Sequence, residues 1–138
     1  MIELASHAIL VAHEEIRTMA LPGLSYDKLG QQAATFIEAS GARPETYKMT
    51  NAKLRELATW LWETTVGPTL RAVELIPQTP PTYKLRRVYW MSCGLMSHMP
   101  IHAAGIYRIR SKERAEDDVV SSYITTLKSA VWNLNAAL

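Results

Sequence analysis

A thiol and two imidazole side chains fall within one short segment of the chain. Cys93, His98 and His102 supply the residue types of a cysteine nucleophile and its base, because an imidazole promotes the reactive thiolate. Pro100 lies between the two histidines, however, and a catalytic Cys and His usually come from separate elements of a fold. The sequence therefore favours a structural role for Cys93, with catalysis by these three residues as the alternative.

Histidine spacing also raises the question of a metal site. His98 and His102 are four residues apart, as two zinc ligands on a helix would be, but Pro100 interrupts a regular helix between them. On a strand, His7 and His13 would share a face yet lie roughly 20 Å apart. We therefore expect neither a metal nor another cofactor.

The charge of the chain indicates no nucleic-acid or membrane partner. The net charge is +2, from 15 basic and 13 acidic residues, and the acidic stretch at 116–118 dilutes the basic residues near it. No apolar run approaches the roughly 18 to 20 residues that span a bilayer. The start of the sequence also lacks the basic residues of a signal peptide.

Length and composition predict a single globular domain over residues 1–138. Hydrophobic residues make up 48% of the chain and charged residues 20%, which is far from the composition of disordered segments. The one cysteine has no internal disulfide partner, as is usual in a reducing compartment. We therefore expect a soluble, cytoplasmic protein.

The first half of the sequence predicts a β-hairpin followed by two helices. Apolar runs at Ala8–Val11 and Ile16–Leu21 flank an acidic turn. Ser25 is a typical N-cap for a first helix that Gly41 ends. The apolar positions predicted to face the core in that helix are Leu29, Ala33, Phe36 and Ile37.

A second helix is predicted from near Asn51, with a kink at Pro68. Its buried face is predicted to contain Leu54, Leu57, Ala58, Leu61 and Trp62. Trp60 and Trp62 point in different directions on a helix, so at least one of them is expected to be partly exposed. We therefore take Trp60 and Trp62 as the candidate interaction surface.

The second half predicts two further strands and a terminal helix. Pro77, Pro80 and Pro81 form an extended connector to a strand at Val88–Met91, and a charged surface loop is predicted at Arg108–Asp118. A strand follows from Val119, and the terminal helix takes over near Thr125. This order of elements predicts an α/β fold with helices packed on a central sheet.

Three segments carry a resemblance to a known family. They are RVYWMSCGLMSHMPIHAAGIY at Arg87–Tyr107, VVSSYITTL at Val119–Leu127 and LWETTVGPTL at Leu61–Leu70. Together they resemble the CHAT domain, a caspase-like cysteine-protease family of fungal and bacterial multidomain proteins. The resemblance implies a layered sheet with flanking helices, of which this chain supplies the first, incomplete part.

The resemblance also implies where the catalytic residues of the family would lie. In CHAT domains the catalytic His and Cys are on later strands, after the segment that Val119–Leu127 resembles, so we expect no dyad in this chain. Cys93 does not match the family nucleophile. His102 matches the His of a Pro-aliphatic-His-Ala-Ala pattern in the non-catalytic half of the domain, and we expect it to be a buried residue that hydrogen-bonds a neighbouring strand.

These expectations lead to three hypotheses of function. The first is a catalytically incomplete half-domain, a pseudo-protease that acts as a scaffold or protein-interaction module. The second is the non-catalytic portion of a CHAT cysteine endopeptidase. The third is a small-molecule binding or catalytic role with a pocket around Trp90, Met91, His98 and His102. An incomplete sheet has an unpaired edge, so we expect a second copy of the chain or a separately encoded protein to complete it.

Overall fold

The computed structural model describes residues 6–12, 15–75, 85–129 and 131, and their fold is of mixed α/β class. The strands are β1 (His7–Ala12), β2 (Glu15–Ala20), β3 (Arg86–Trp90) and β4 (Val119–Tyr123). The α-helices are α1 (Tyr26–Ser40), α2 (Tyr47–Leu61), α3 (Gly67–Ala72) and α4 (Ala115–Asp118). Short 3₁₀ turns lie at Pro44–Thr46, Gly94–His98 and Ile101–Ala103.

The predicted hairpin is confirmed, as an antiparallel pair of β1 and β2 in which His7 pairs with Ala20. Leu10 is buried on the inner face of the hairpin, and Met19 packs against the core. On the inner face, the Arg17 guanidinium donates a hydrogen bond of 2.7 Å to the carbonyl of Ala72 and so ties the hairpin to the end of α3. The acidic turn between the strands lies outside the described residues.

The first helix begins and ends at the predicted residues. The Ser25 hydroxyl accepts a hydrogen bond of 3.2 Å from the backbone N–H of Lys28, and Gly41 caps the C-terminus of α1. Leu29 and Ala33 are buried as expected. Ile37 is 61% exposed, so its predicted place in the core is wrong. The face of α1 that packs is narrower than the apolar stripe in its sequence.

The second helix continues through Gly67 and Pro68 by means of a π-helical turn at Trp62–Val66. The backbone N–H of Gly67 donates to the carbonyl of Trp62, five residues back, which marks a π turn. A π turn therefore lies one turn before Pro68, and Pro68 itself stands at the start of α3. The kink predicted at Pro68 stays a prediction. The second helix also begins earlier than predicted, at Tyr47 instead of near Asn51.

The π turn keeps one apolar stripe facing the core along both helices. Its fully buried members are Leu57, Leu61, Val66 and Leu70. These residues are spaced by four, five and four positions. In a regular α-helix of about 3.6 residues per turn, a spacing of five would rotate Val66 away from Leu61. The wider π turn absorbs the extra residue, so the stripe stays continuous.

The four strands form two separate sheets, not the one central sheet predicted from the sequence. Besides the hairpin, β3 and β4 form a two-stranded parallel sheet in which Val88 pairs with Ser121. The stretch between them, predicted as a loop at Arg108–Asp118, contains α4 and an isolated bridge of Gly105 to Arg114. A caspase-like arrangement of layers is therefore not evident in the described part of the chain.

The terminal helix predicted from the sequence falls mostly outside the part that the structure describes. Residues 127–129 and 131 are helical, as predicted, and Leu127 and Val131 are exposed. The predicted proline connector at 77–81 also lies outside the described residues. The core that positions the remaining elements is formed by α1, α2, α3 and β3 together with the Ile101–Ala103 turn.

Candidate functional site

His102 lies on the 3₁₀ turn Ile101–Ala103 and is joined to β4 by two hydrogen bonds to Tyr123. Its backbone N–H donates to the Tyr123 hydroxyl at 2.9 Å, and its ring Nδ1 lies 2.6 Å from the same oxygen. Because the hydroxyl accepts from the backbone, its own proton is available for Nδ1. The ring of His102 and the Tyr123 hydroxyl therefore share a second hydrogen bond, whose donor is set by the tautomer of His102.

The expectation for His102 is confirmed in its bonding and wrong in its burial. One ring nitrogen ties the turn to a neighbouring strand, but the side chain is exposed. Burial raises the pKa of Tyr123, while the backbone N–H groups of His102 and Ile101 act in the opposite direction. The Tyr123 hydroxyl therefore keeps its proton at neutral pH.

Replacing Tyr123 by phenylalanine tests this link. We expect the free energy of unfolding to fall by about 0.5–1.5 kcal/mol, because both hydrogen bonds to His102 are lost. Tyr47→Phe is the matched control, since Tyr47 is 52% exposed and its hydroxyl makes no hydrogen bond in the described residues. Urea unfolding followed by circular dichroism measures both variants, and equal stability of the two would contradict the role given to Tyr123.

Cys93 and His98, the other two residues of the catalytic alternative, take no part in the hydrogen bonds between His102 and Tyr123. Cys93 is exposed and precedes the 3₁₀ turn Gly94–His98, where Gly94 adopts the positive φ of 60° that its turn requires. Among the described residues, no hydrogen bond joins Cys93 to His98 or His102. Catalysis by Cys93, His98 and His102 therefore has no support from a hydrogen bond in this part of the structure.

Trp60 is the more exposed member of the predicted interaction pair. It is partly buried and lines an open groove of about 380 Å³, together with Arg55, Glu56, Thr59 and Glu63 of the same stretch of helix. Trp62 is 2% exposed and belongs to the core, so it does not contribute to a surface. Within the described residues the indole N–H of Trp62 has no hydrogen-bond partner.

The opposite wall of this groove is the loop at Ile106–Arg108. The Tyr107 hydroxyl donates a hydrogen bond of 2.7 Å to the carbonyl of Ala103, and the Arg114 guanidinium lies 4.8 Å from the centre of the Tyr107 ring. The backbone N–H of Ile106 donates to the Glu113 carbonyl at 2.7 Å. These contacts hold the loop in one position beside α2. We call this feature the Trp60 groove.

A second open cleft, of about 500 Å³, lies at the start of the parallel sheet. It is lined by Leu85, Arg86, Arg87 and Val120. Neither this cleft nor the Trp60 groove is lined by Trp90, Met91, His98 or His102, the residues proposed for a small-molecule pocket. Across the described residues, no group of three or more His, Cys, Asp or Glu side chains is arranged to hold a metal ion.

One signal in the sequence pointed to these features, since the tryptophan pair indicated a surface. Two residues were missed. Tyr107 and Tyr123 were not recognised, because a tyrosine in a strand or loop pattern has many packing roles. Their partners, Arg114 and His102, lie too far along the chain for spacing to reveal the contact.

Comparison with known proteins adds no family to this description. No protein-family model matches the chain, and the searches of curated proteins and of solved structures also found no match. Among the described helices, none is both long and apolar enough to cross a bilayer.

Proposed function

We propose that this chain is a protein-interaction module, a catalytically incomplete half-domain similar to the CHAT domain, in which a second polypeptide completes the β3–β4 sheet. The resemblance of Arg87–Tyr107 and Val119–Leu127 to that family motivates the comparison with its caspase-like layers. The observation that carries the proposal is the half-covered parallel sheet. Parallel sheets normally have both faces buried.

One face of the β3–β4 sheet packs on the core and the other does not. On the covered face, Trp90 and Val119 are buried, and the Trp90 indole N–H donates to the Ser121 hydroxyl at 3.0 Å. On the opposite face, Arg87 is exposed and Val120 is 39% exposed. That face also contains the cleft of about 500 Å³. A partner that packs there would supply the missing layer.

The edges of the same sheet point to the same kind of partner. Within the described residues β3 and β4 pair only with each other, so each strand has one edge without a strand partner. Unpaired backbone N–H and C=O groups on such an edge favour pairing with another chain. The partner is either a second copy of this chain or a separately encoded protein.

The mass of the purified chain in solution tests this proposal. Light scattering after size exclusion, over a dilution series, is expected to give a dimer or larger assembly that dissociates on dilution. Val120→Glu is expected to weaken the assembly, because it places a charge on the uncovered face. Ile37→Glu is the matched control, since Ile37 is exposed on α1. A folded monomer at every concentration would contradict completion of the sheet by a second copy.

The second candidate function is the non-catalytic portion of a cysteine endopeptidase whose His and Cys are supplied by another segment. The exposed position of Cys93, without a hydrogen bond to His98 or His102, favours this over catalysis by the chain itself. Cleavage of a peptide library only after such a segment is added would support it. Cleavage by the 138-residue chain alone would contradict both candidates.

A further inference from the structure

The Trp60 groove presents carboxylates beside an aromatic ring on one helical face. Glu56 lies four residues before Trp60 and Glu63 lies three residues after it, so the three side chains follow one row along the helix. Trp is the aromatic side chain that best attracts a cation, and neighbouring carboxylates strengthen the attraction. Neither Glu56 nor Glu63 forms an ion pair within the described part of the chain. Both carboxylates are therefore available to a ligand.

The facing wall adds a positive charge to that of Arg55 on the helical wall, and it supplies a fixed shape. Arg108 lines the groove across from α2 and, like the glutamates, has no ion-pair partner among the described residues. Its backbone is held in a turn, in which the N–H of Ser111 donates to the Arg108 carbonyl at 3.1 Å and Arg110 adopts a φ of 74°. Next to Arg108, Ile109 is 96% exposed. A wall held in place before binding lowers the entropic cost of association.

We propose that the Trp60 groove binds an extended segment of a partner protein through an arginine or lysine side chain placed over Trp60 between Glu56 and Glu63. Arg108 pairs with an acidic residue next to the basic one in the bound segment. The groove contains no residue of β3 or β4, so this contact is separate from completion of the parallel sheet. The charges on its two walls select a segment that carries a basic and an acidic side chain together.

Nuclear magnetic resonance of the indole N–H groups tests the proposal directly. The Trp60 signal is assigned with Trp60→Phe, and the chain is titrated with an acetylated six-residue peptide that contains one arginine followed by one aspartate. The matched peptide replaces arginine with citrulline, which has the same shape without the charge. We expect a saturable shift of the Trp60 signal with the arginine peptide and about two- to fivefold weaker binding of the citrulline peptide.

Variants of the protein separate the contribution of each wall. Glu56→Gln and Glu63→Gln are each expected to weaken binding of the arginine peptide about two- to fivefold. Glu38→Gln on α1 is expected to leave the affinity for that peptide unchanged. Arg108→Gln is expected to weaken binding of the arginine–aspartate peptide but not binding of an arginine–glycine peptide. No saturable shift, or equal affinity for the citrulline peptide, would overturn the proposal. Neither result bears on the solution mass, so the two proposals fail independently.

Discussion

Replacing Gly105 by alanine is expected to lower the free energy of unfolding by about 1–3 kcal/mol, because a Cβ atom has no room there. The added atom would lie 2.8 Å from the Cα of Arg114 and 2.8 Å from the carbonyl oxygen of Glu113. Both are backbone atoms, which cannot rotate away as a flexible side chain would. Gly105 also donates its N–H to the Ala58 carbonyl of α2 at 3.1 Å, so any shift of its backbone disturbs the contact with the helix.

Gly30→Ala is the matched control and is expected to raise the free energy of unfolding instead of lowering it. Gly30 lies inside α1, and a Cβ there would meet only Leu95 Cδ1, at an ordinary distance of 3.9 Å. Alanine in a helix interior is favoured over glycine by about 0.8–1.0 kcal/mol. Urea unfolding of the two variants beside the parent chain measures both effects. A Gly105→Ala variant as stable as the parent would show that the turn and Arg114 do not pack as described.

Leu61→Ala is expected to cost about 2–5 kcal/mol, the range for truncating a fully buried leucine. Leu61 is 0% exposed and stands at the centre of the stripe that runs from Leu57 through Val66 to Leu70. Its removal leaves a cavity where α2 meets the π turn. Thermal and urea unfolding should both shift to a lower midpoint.

Ile37→Ala provides the comparison for Leu61→Ala. Ile37 was predicted from its spacing to be buried, but it is 61% exposed, so its truncation should change stability by no more than about 0.5 kcal/mol. A large loss in Ile37→Ala would mean that α1 packs more of its apolar face than the described contacts include. A small loss of stability in Leu61→Ala would contradict the position of this apolar stripe at the centre of the core.

Local sequence signals predicted the elements better than their assembly. The Ser25 cap, the Gly41 stop and the hairpin strands depend on residues close in the chain, and all three are confirmed. The separation into two sheets depends on which strands meet, and spacing carries no information about that. The π turn did leave a signal, the five-residue spacing between Leu61 and Val66, but a search for helical periodicity alone passes over it.

The candidate site, like the fold, could be predicted from the sequence only in part. The bond of His102 to a neighbouring strand was expected, but Tyr123 as its partner was not. His102 is exposed because its 3₁₀ turn buries Ile101 and Ala104 instead. For the tryptophans, helical geometry correctly required one to be more exposed, but could not decide between Trp60 and Trp62.

The close approach at Gly105 explains the small residues that follow His102. Ala104 is 0% exposed, and its carbonyl accepts a hydrogen bond of 2.9 Å from the N–H of Ala115 at the start of α4. Larger side chains at these positions would separate the turn from α2 and from α4 together. Small residues at 104 and 105 are thus a packing requirement, independent of any catalytic role for His102.

The two sheets differ in how much of the chain must be arranged before their strands can pair. β1 and β2 are separated by residues 13 and 14 alone, so their ladder forms between near neighbours. β3 and β4 are separated by residues 91–118, and closing so long a loop delays folding. We expect the parallel ladder to be the last to form and the first to open. A partner that recognises the face with Arg87 and Val120 would therefore bind fully folded chains and would not bind newly synthesised, partly folded ones.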